Sequence, residues 1–262
     1  MNALCYISIN RDTAHTILCD PMKTVCVIPA RFSSSRLPGK PLADICGKPM
    51  LWWAYSNALN AHGLDDVVCA IDDPRVESVC KELGMRYVMT SLDHPNHISR
   101  VWEVSEKIIA DHYVCVNGDE PALDPSNISA LIPSTLHDAA FVLCAVRELT
   151  DPAETVDFSK IKVVIDAEGR GVYMSRTPVP YPRGTLLFRY NKYVGIEVFN
   201  KQALDFFVKS TPGEIELIED IDHLRFIENR IPIQFKHISS ESISVDTPKD
   251  LEKIRLMFQS RL

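Results

Sequence analysis

The chain has 262 residues, of which 46 % are apolar and 24 % charged, with a formal net charge of −7. That length suits one α/β core with a small subdomain, and the composition excludes disordered and collagen-like chains. An acidic chain lacks the basic face that a nucleic-acid backbone requires, so no nucleic-acid partner is expected and its cations act locally.

Eight cysteines form no C-x-x-C pair, and Cys26, Cys69, Cys115 and Cys144 sit in apolar strand-like runs, the pattern of reduced core thiols in a cytoplasmic protein. No apolar run approaches the roughly 20 residues that span a bilayer, so no membrane partner is expected. Residues 1–22, interrupted by Arg11, Asp12 and Asp20, read as a weakly ordered N-terminal extension, with Met22 as an alternative start before the first strand. Residues 23–262 read as one domain.

Residues 24–30 are apolar and β-branched enough for a central parallel strand that ends at Pro29 and Ala30. The exit, RFSSSRLPGKP, carries Arg31, Arg36 and Lys40 with Ser33, Ser34, Ser35 and Gly39. In open α/β sheets ligands bind at the carboxyl edge, and a loop offering charge, hydroxyls and close backbone approach suits a nucleoside triphosphate. Neither P-loop spacing nor G-x-G-x-x-G is present.

Helical spacing follows at 50–62, closed by Gly63, then a strand at 66–71, a helix at 74–83 ending at Gly84, a strand at 86–90 and a helix at 99–110. A strand at 112–116 empties into Asn117-Gly118-Asp119-Glu120-Pro121, and a helix is expected at 125–136. This alternation predicts a mostly parallel sheet with helices on both faces. Strands at 139–147, 162–166, 172–175 and 193–199 then predict a small β-rich subdomain, 139–200, carrying acceptor and dimerisation surfaces. Helices at 201–209, 214–228 and 247–259 follow, with strands at 232–237 and 243–246 between the last two.

Asp119 and Asp246 each follow a strand at the expected carboxyl edge. Carboxylates beside a triphosphate loop suit Mg²⁺, a hard ion that takes one or two of them plus phosphate oxygens and water. The plainer readings are a turn residue for Asp119 and a helix-capping or pre-helix acid for Asp246. His94 and His97 share a loop with Asp93, but without a third ligand at fixed spacing they do not make a zinc site.

Four segments in order, PARFSSSRLPGKPLADICGKPM, NGDEP, MSRTPVPY and SVDTPKDL, resemble the CMP-Kdo synthetases (3-deoxy-manno-octulosonate cytidylyltransferases), and the likeness runs over about residues 24–258. It implies a Rossmann-like nucleotide-diphospho-sugar transferase fold and a Mg²⁺-dependent homodimer. Such an enzyme transfers CMP from CTP to the hydroxyl of an acidic sugar for lipopolysaccharide-type precursors. The resemblance puts Mg²⁺ on Asp119 and Asp246. It puts CTP on Pro29, Ala30, Arg31, Ser34, Ser35, Arg36, Lys40, Arg100, Asn117 and Gly118, with Arg31 and Lys40 holding the leaving pyrophosphate. The acceptor falls to Ser175, Arg176, Pro178, Tyr181, Tyr193 and Glu219, with Asp220 as a second candidate for its hydroxyls.

The chain departs from the family pattern in places. His97-Ile98-Ser99-Arg100 stands for G-T-(E/D)-R, Asn117 for glutamine, Tyr193 for histidine, and Ile221-Asp222-His223-Leu224-Arg225 for LEQLR. These changes leave open a different acid as acceptor: 8-amino-Kdo, another ulosonic acid, or a phosphonate such as phosphonoformate. A glycosyltransferase and a non-catalytic nucleotide sensor are further alternatives.

Overall fold

The computed structural model describes residues 22–34, 36–185, 187–239 and 243–260. Residues 1–21 of the N-terminal extension, Cys5 and Cys19 among them, and Ser35 lie outside the described residues. At its centre is β1 (Thr24–Ala30), whose side chains alternate between two cores: Cys26, Ile28 and Ala30 face one way, Val25 and Val27 the other. Burial on both faces explains why this strand reads as a continuous apolar run.

The remaining strands are β2 (Asp44–Ile45), β3 (Lys48–Pro49), β4 (Asp66–Ile71), β5 (Tyr87–Met89), β6 (His112–Val116), β7 (Val142–Glu148), β8 (Lys162–Ile165), β9 (Gly171–Ser175), β10 (Asn191–Phe199) and β11 (Ile233–His237). The helices are α1 (Met50–Leu59), α2 (Pro74–Glu82), α3 (His97–Lys107), α4 (Pro125–Leu131), α5 (Pro152–Val156), α6 (Lys201–Lys209), α7 (Glu214–Glu219), α8 (Leu224–Glu228) and α9 (Pro248–Gln259).

The main sheet runs β11-β7-β10-β6-β1-β4-β5, with β8 and β9 continuing from β10. Parallel pairing links β6, β1, β4 and β5, and again β7 and β11. Between these two parallel groups β10 is inserted antiparallel to both neighbours. Helices α1, α2 and α4 cover one face, and α3, α6 and α8 the other. A third cluster joins α9 to Ile45 and Met50. The strand-rich stretch 139–200 therefore adds its strands to the same sheet.

Several elements differ from the sequence expectation. The helix expected over 214–228 is two helices, broken where Asp220 takes a left-handed φ of 52°. Helix α3 begins at His97, two residues early, because Asn96 caps it by accepting from Ser99 N at 2.9 Å. Helix α4 stops at Leu131 instead of 136. Residues 243–246 form no strand; their tie to the sheet edge is Val245 N donating to Asp119 O at 2.9 Å. The β2–β3 hairpin and α5 carry no strong periodic signal and escape the sequence reading. The described cysteines are free thiols, and all but half-buried Cys46 are buried.

Candidate active site

Strands β1, β4 and β6 end side by side, and the loops leaving them surround a cavity of about 380 Å³. Its lining includes Pro29, Ala30, Arg31, Ser34, Arg36, Lys40, Arg100, Asn117, Gly118, Asp119 and Asp246. Every described residue expected to contact CTP is thus brought to one place.

The basic loop is held by its neighbours. Asp72, at the end of β4, accepts from Phe32 N at 2.9 Å and pairs with Arg100 at 3.0 Å, so one buried carboxylate fixes both the loop and the guanidinium. Arg100 lines the cavity, yet its charge is already answered by Asp72, with Thr90 as a second partner. Ser34 Oγ accepts from Leu37 N at 3.3 Å and shapes the turn. Gly39 then adopts φ 68°, a conformation that favours glycine, and launches the short 3₁₀ turn carrying Lys40.

Lys40 is the hub. Its Nζ lies 2.6 Å from Asp119 Oδ2 and 2.9 Å from Asp246 Oδ1, while Arg36 Nη2 reaches the same Asp246 oxygen at 3.0 Å. Asp246 is not the helix cap. Thr247 fills that role for α9 in a capping box with Asp250, which leaves the Asp246 carboxylate to face the cavity. The Val245–Asp119 backbone bond joins the two acidic segments.

The Asp119–Asp246 pair fits a hard cation. Both donors are carboxylates, Asp119 Oδ1 is buried without a hydrogen-bond partner, and the Lys40 ammonium already shows where positive charge is stabilised.

The residues expected on the acceptor side do not line this cavity. Glu219 is engaged by Ser175 Oγ at 2.7 Å and by Arg176 N at 2.9 Å, and the Arg176 guanidinium donates to the backbone carbonyls of Glu219 and Asp220, both at 2.7 Å. Pro178 is exposed, and Tyr181 is 84 % exposed. Tyr193 lies elsewhere, donating its hydroxyl to Glu197.

What the sequence reading misses on this side is Asp222, which lines the cavity together with His97, and Glu197 and His223, which lie behind them. Burial holds the Asp222 carboxyl above its ordinary value, against the pull of His97 and His223. The signal available was the IDHLR segment, whose acid and histidine at 222 and 223 are these residues. His94, by contrast, is tied to Glu103 at 2.6 Å and does not join His97 in a ligand set.

A cation-rich loop facing paired carboxylates across the carboxyl edge of such a sheet defines a nucleotidyltransferase. A cytidylyltransferase family profile matches residues 25–238. The 3-deoxy-manno-octulosonate cytidylyltransferase of Escherichia coli is 38 % identical over 240 residues, covering 92 % of this chain and 98 % of that protein. The protein of the same name from Solibacter usitatus is 37 % identical, over 92 % and 97 % of the two chains. The structure of a CMP:2-keto-3-deoxy-manno-octonic acid synthetase complexed with CTP superposes with a TM-score of 0.85 at 36 % identity, covering 92 % of this chain and all of that one. The chain belongs to the cytidylyltransferase family, in its CMP-Kdo synthetase branch.

Proposed function

We propose that this protein transfers CMP from CTP to the hydroxyl of 3-deoxy-D-manno-octulosonate, releasing pyrophosphate, and that it does so in the cytoplasm as a Mg²⁺-dependent homodimer. The observation that carries this reading is the placement of Lys40 between Asp119 and Asp246 on a cavity also lined by Arg31 and Arg36. Similarity to 3-deoxy-manno-octulosonate cytidylyltransferases over about nine-tenths of the chain supports this acceptor.

The acceptor oxygen forms a bond to the α-phosphorus as the bond to the β-phosphate oxygen breaks. No protein nucleophile is needed, so the chain contributes positioning and charge. Arg31, Arg36 and Lys40 hold the β- and γ-phosphates and then the departing pyrophosphate. Asp119 and Asp246 are the residues that would hold Mg²⁺. When bound, that ion neutralises the α-phosphate and lowers the pKa of the attacking hydroxyl. Asn117 and Gly118 border the nucleotide. His97 and Asp222 are the acceptor-side groups that line the cavity, while segment 175–181 serves the acceptor from outside it.

The test is pyrophosphate release from CTP and Mg²⁺ with Kdo, 8-amino-Kdo, a sialic acid and phosphonoformate offered separately. Release with Kdo supports the proposal. Release with another acid alone moves the acceptor assignment, and CTP binding without release from any acceptor rejects the enzymatic reading.

A further inference from the structure

Beside the cavity lies a group of side chains that the triphosphate chemistry does not use. Glu197 is fully buried on the face of β10 that packs against α3 and α8, registered beside Cys115 of β6 and Cys144 of β7. A carboxylate in such surroundings is costly unless polar partners or a metal ion meet it. Two imidazoles do: His97 Nε2 lies 3.0 Å from Glu197 Oε1, and His223 Nε2 lies 3.1 Å from Glu197 Oε2.

The second contact is close but not aligned as a hydrogen bond. Glu197 Oε2 and His223 Nε2 are both buried and neither has a hydrogen-bond partner. Two ligand atoms sharing one tetrahedral cation have this relation, since bonds of about 2.0–2.1 Å put donors roughly 3.3 Å apart. The donor atoms of His97, Glu197 and His223 all lie within 4.8 Å of one another.

We propose that His97, Glu197 and His223 bind one divalent transition-metal ion of zinc-like chemistry, at a site separate from Asp119 and Asp246. Two imidazoles and a carboxylate form a borderline donor set that suits zinc, whereas the aspartate pair suits a hard ion. One outer partner is in place, Tyr193 donating its hydroxyl to Glu197, and the Asp222 carboxylate stands near His97, its Oδ2 3.9 Å from Nδ1. The three ligands come from the start of α3, the C-terminal half of β10 and the link between α7 and α8, so the ion ties together three elements beside the cavity. Three protein ligands leave a fourth position for water or for an oxygen of the acceptor.

The test uses the full chain purified without chelator and without nucleotide. Metal analysis is expected to find about one equivalent of zinc, and cobalt substitution to give the intense visible absorption of a tetrahedral site. Glu197→Gln and His223→Gln abolish the equivalent, and the half-exposed His97→Gln does so with less risk to folding. Asp119→Asn retains it, and zinc raises the melting temperature of that variant and of wild type but not of His97→Gln. No retained zinc at micromolar free metal, or equal retention by His97→Gln, overturns the proposal and leaves a hydrogen-bonded ion cluster. Because the readout is metal content, it is independent of which acceptor the enzyme uses.

Discussion

Lys40 Nζ lies 2.6 Å from Asp119 Oδ2, so a cation expected to grip phosphate is the counter-ion of a carboxylate expected to grip metal. Asp246 is bound by the same ammonium at 2.9 Å. On the function proposed above, a triphosphate carrying its own cation would replace both halves of this arrangement, the cation at the aspartates and the phosphates at Lys40.

Lys40→Met separates these roles. Turnover is expected to fall by about 10²–10³, the usual cost of losing one donor to developing charge. In the absence of CTP the two uncompensated aspartates bind Mn²⁺ more tightly than in wild type. Paramagnetic relaxation without nucleotide measures the second effect; weaker Mn²⁺ binding contradicts the counter-ion role.

Gly195 marks a close approach. A Cβ there falls 2.2 Å from Asn117 Nδ2 and 2.9 Å from both Asn117 Cγ and Glu120 Oε1, in the stretch where β10 shifts register against β7. Gly195→Ala displaces Asn117 from the cavity wall. A stability loss of about 1–3 kcal/mol is expected, together with a raised KM for CTP. Urea denaturation and steady-state kinetics test this, and an unchanged KM removes Asn117 from nucleotide binding.

Arg225 holds the α7–α8 region together. It donates from Nε to Glu216 at 2.8 Å and from Nη1 to the Phe207 carbonyl at 2.8 Å, all in the interior. Arg225→Met leaves Glu216 buried without its partner and costs about 3–5 kcal/mol. Arg225→Met combined with Glu216→Leu recovers part of that loss in chemical denaturation.

Acid sensitivity has an identifiable source beside the cavity. Burial opposes ionisation of Glu103, but bonds from Lys107, the Ser91 amide and His94 hold its carboxyl down at about 2, below its ordinary 4.5. A depressed carboxyl contributes stability above its unfolded value and loses it as pH falls through the folded one, so the contribution fades between about 4.5 and 2. Glu103→Gln is less stable at pH 7 and shows a shallower loss over this window in urea midpoints.

The phosphate loop, Asp119 and Asn117-Gly118 are legible in the sequence because each lies beside a strand whose apolar run is local. Asp246 is legible for a different reason: its segment resembles a known motif, although the strand expected there does not form. Glu197 is hidden, since one acid within the apolar run of β10 looks solvent-facing until the antiparallel insertion buries it between β6 and β7. Asp222 and His223 are hidden by the left-handed turn at Asp220, which no glycine announces and which converts one expected helix into two. Arg176 and Glu219 are each assigned to the acceptor by the family likeness, but in the structure they bond to one another away from the cavity.

The most direct measurement of the central claim is ³¹P NMR of CTP with Mg²⁺ and Kdo, run with wild type and with Asp119→Asn. Wild type is expected to convert the three CTP resonances into pyrophosphate and one phosphodiester of CMP, and Asp119→Asn to slow this by about 10² or more while remaining folded. Formation of CDP and phosphate, or equal rates for the two proteins, contradicts cytidylyl transfer at this site.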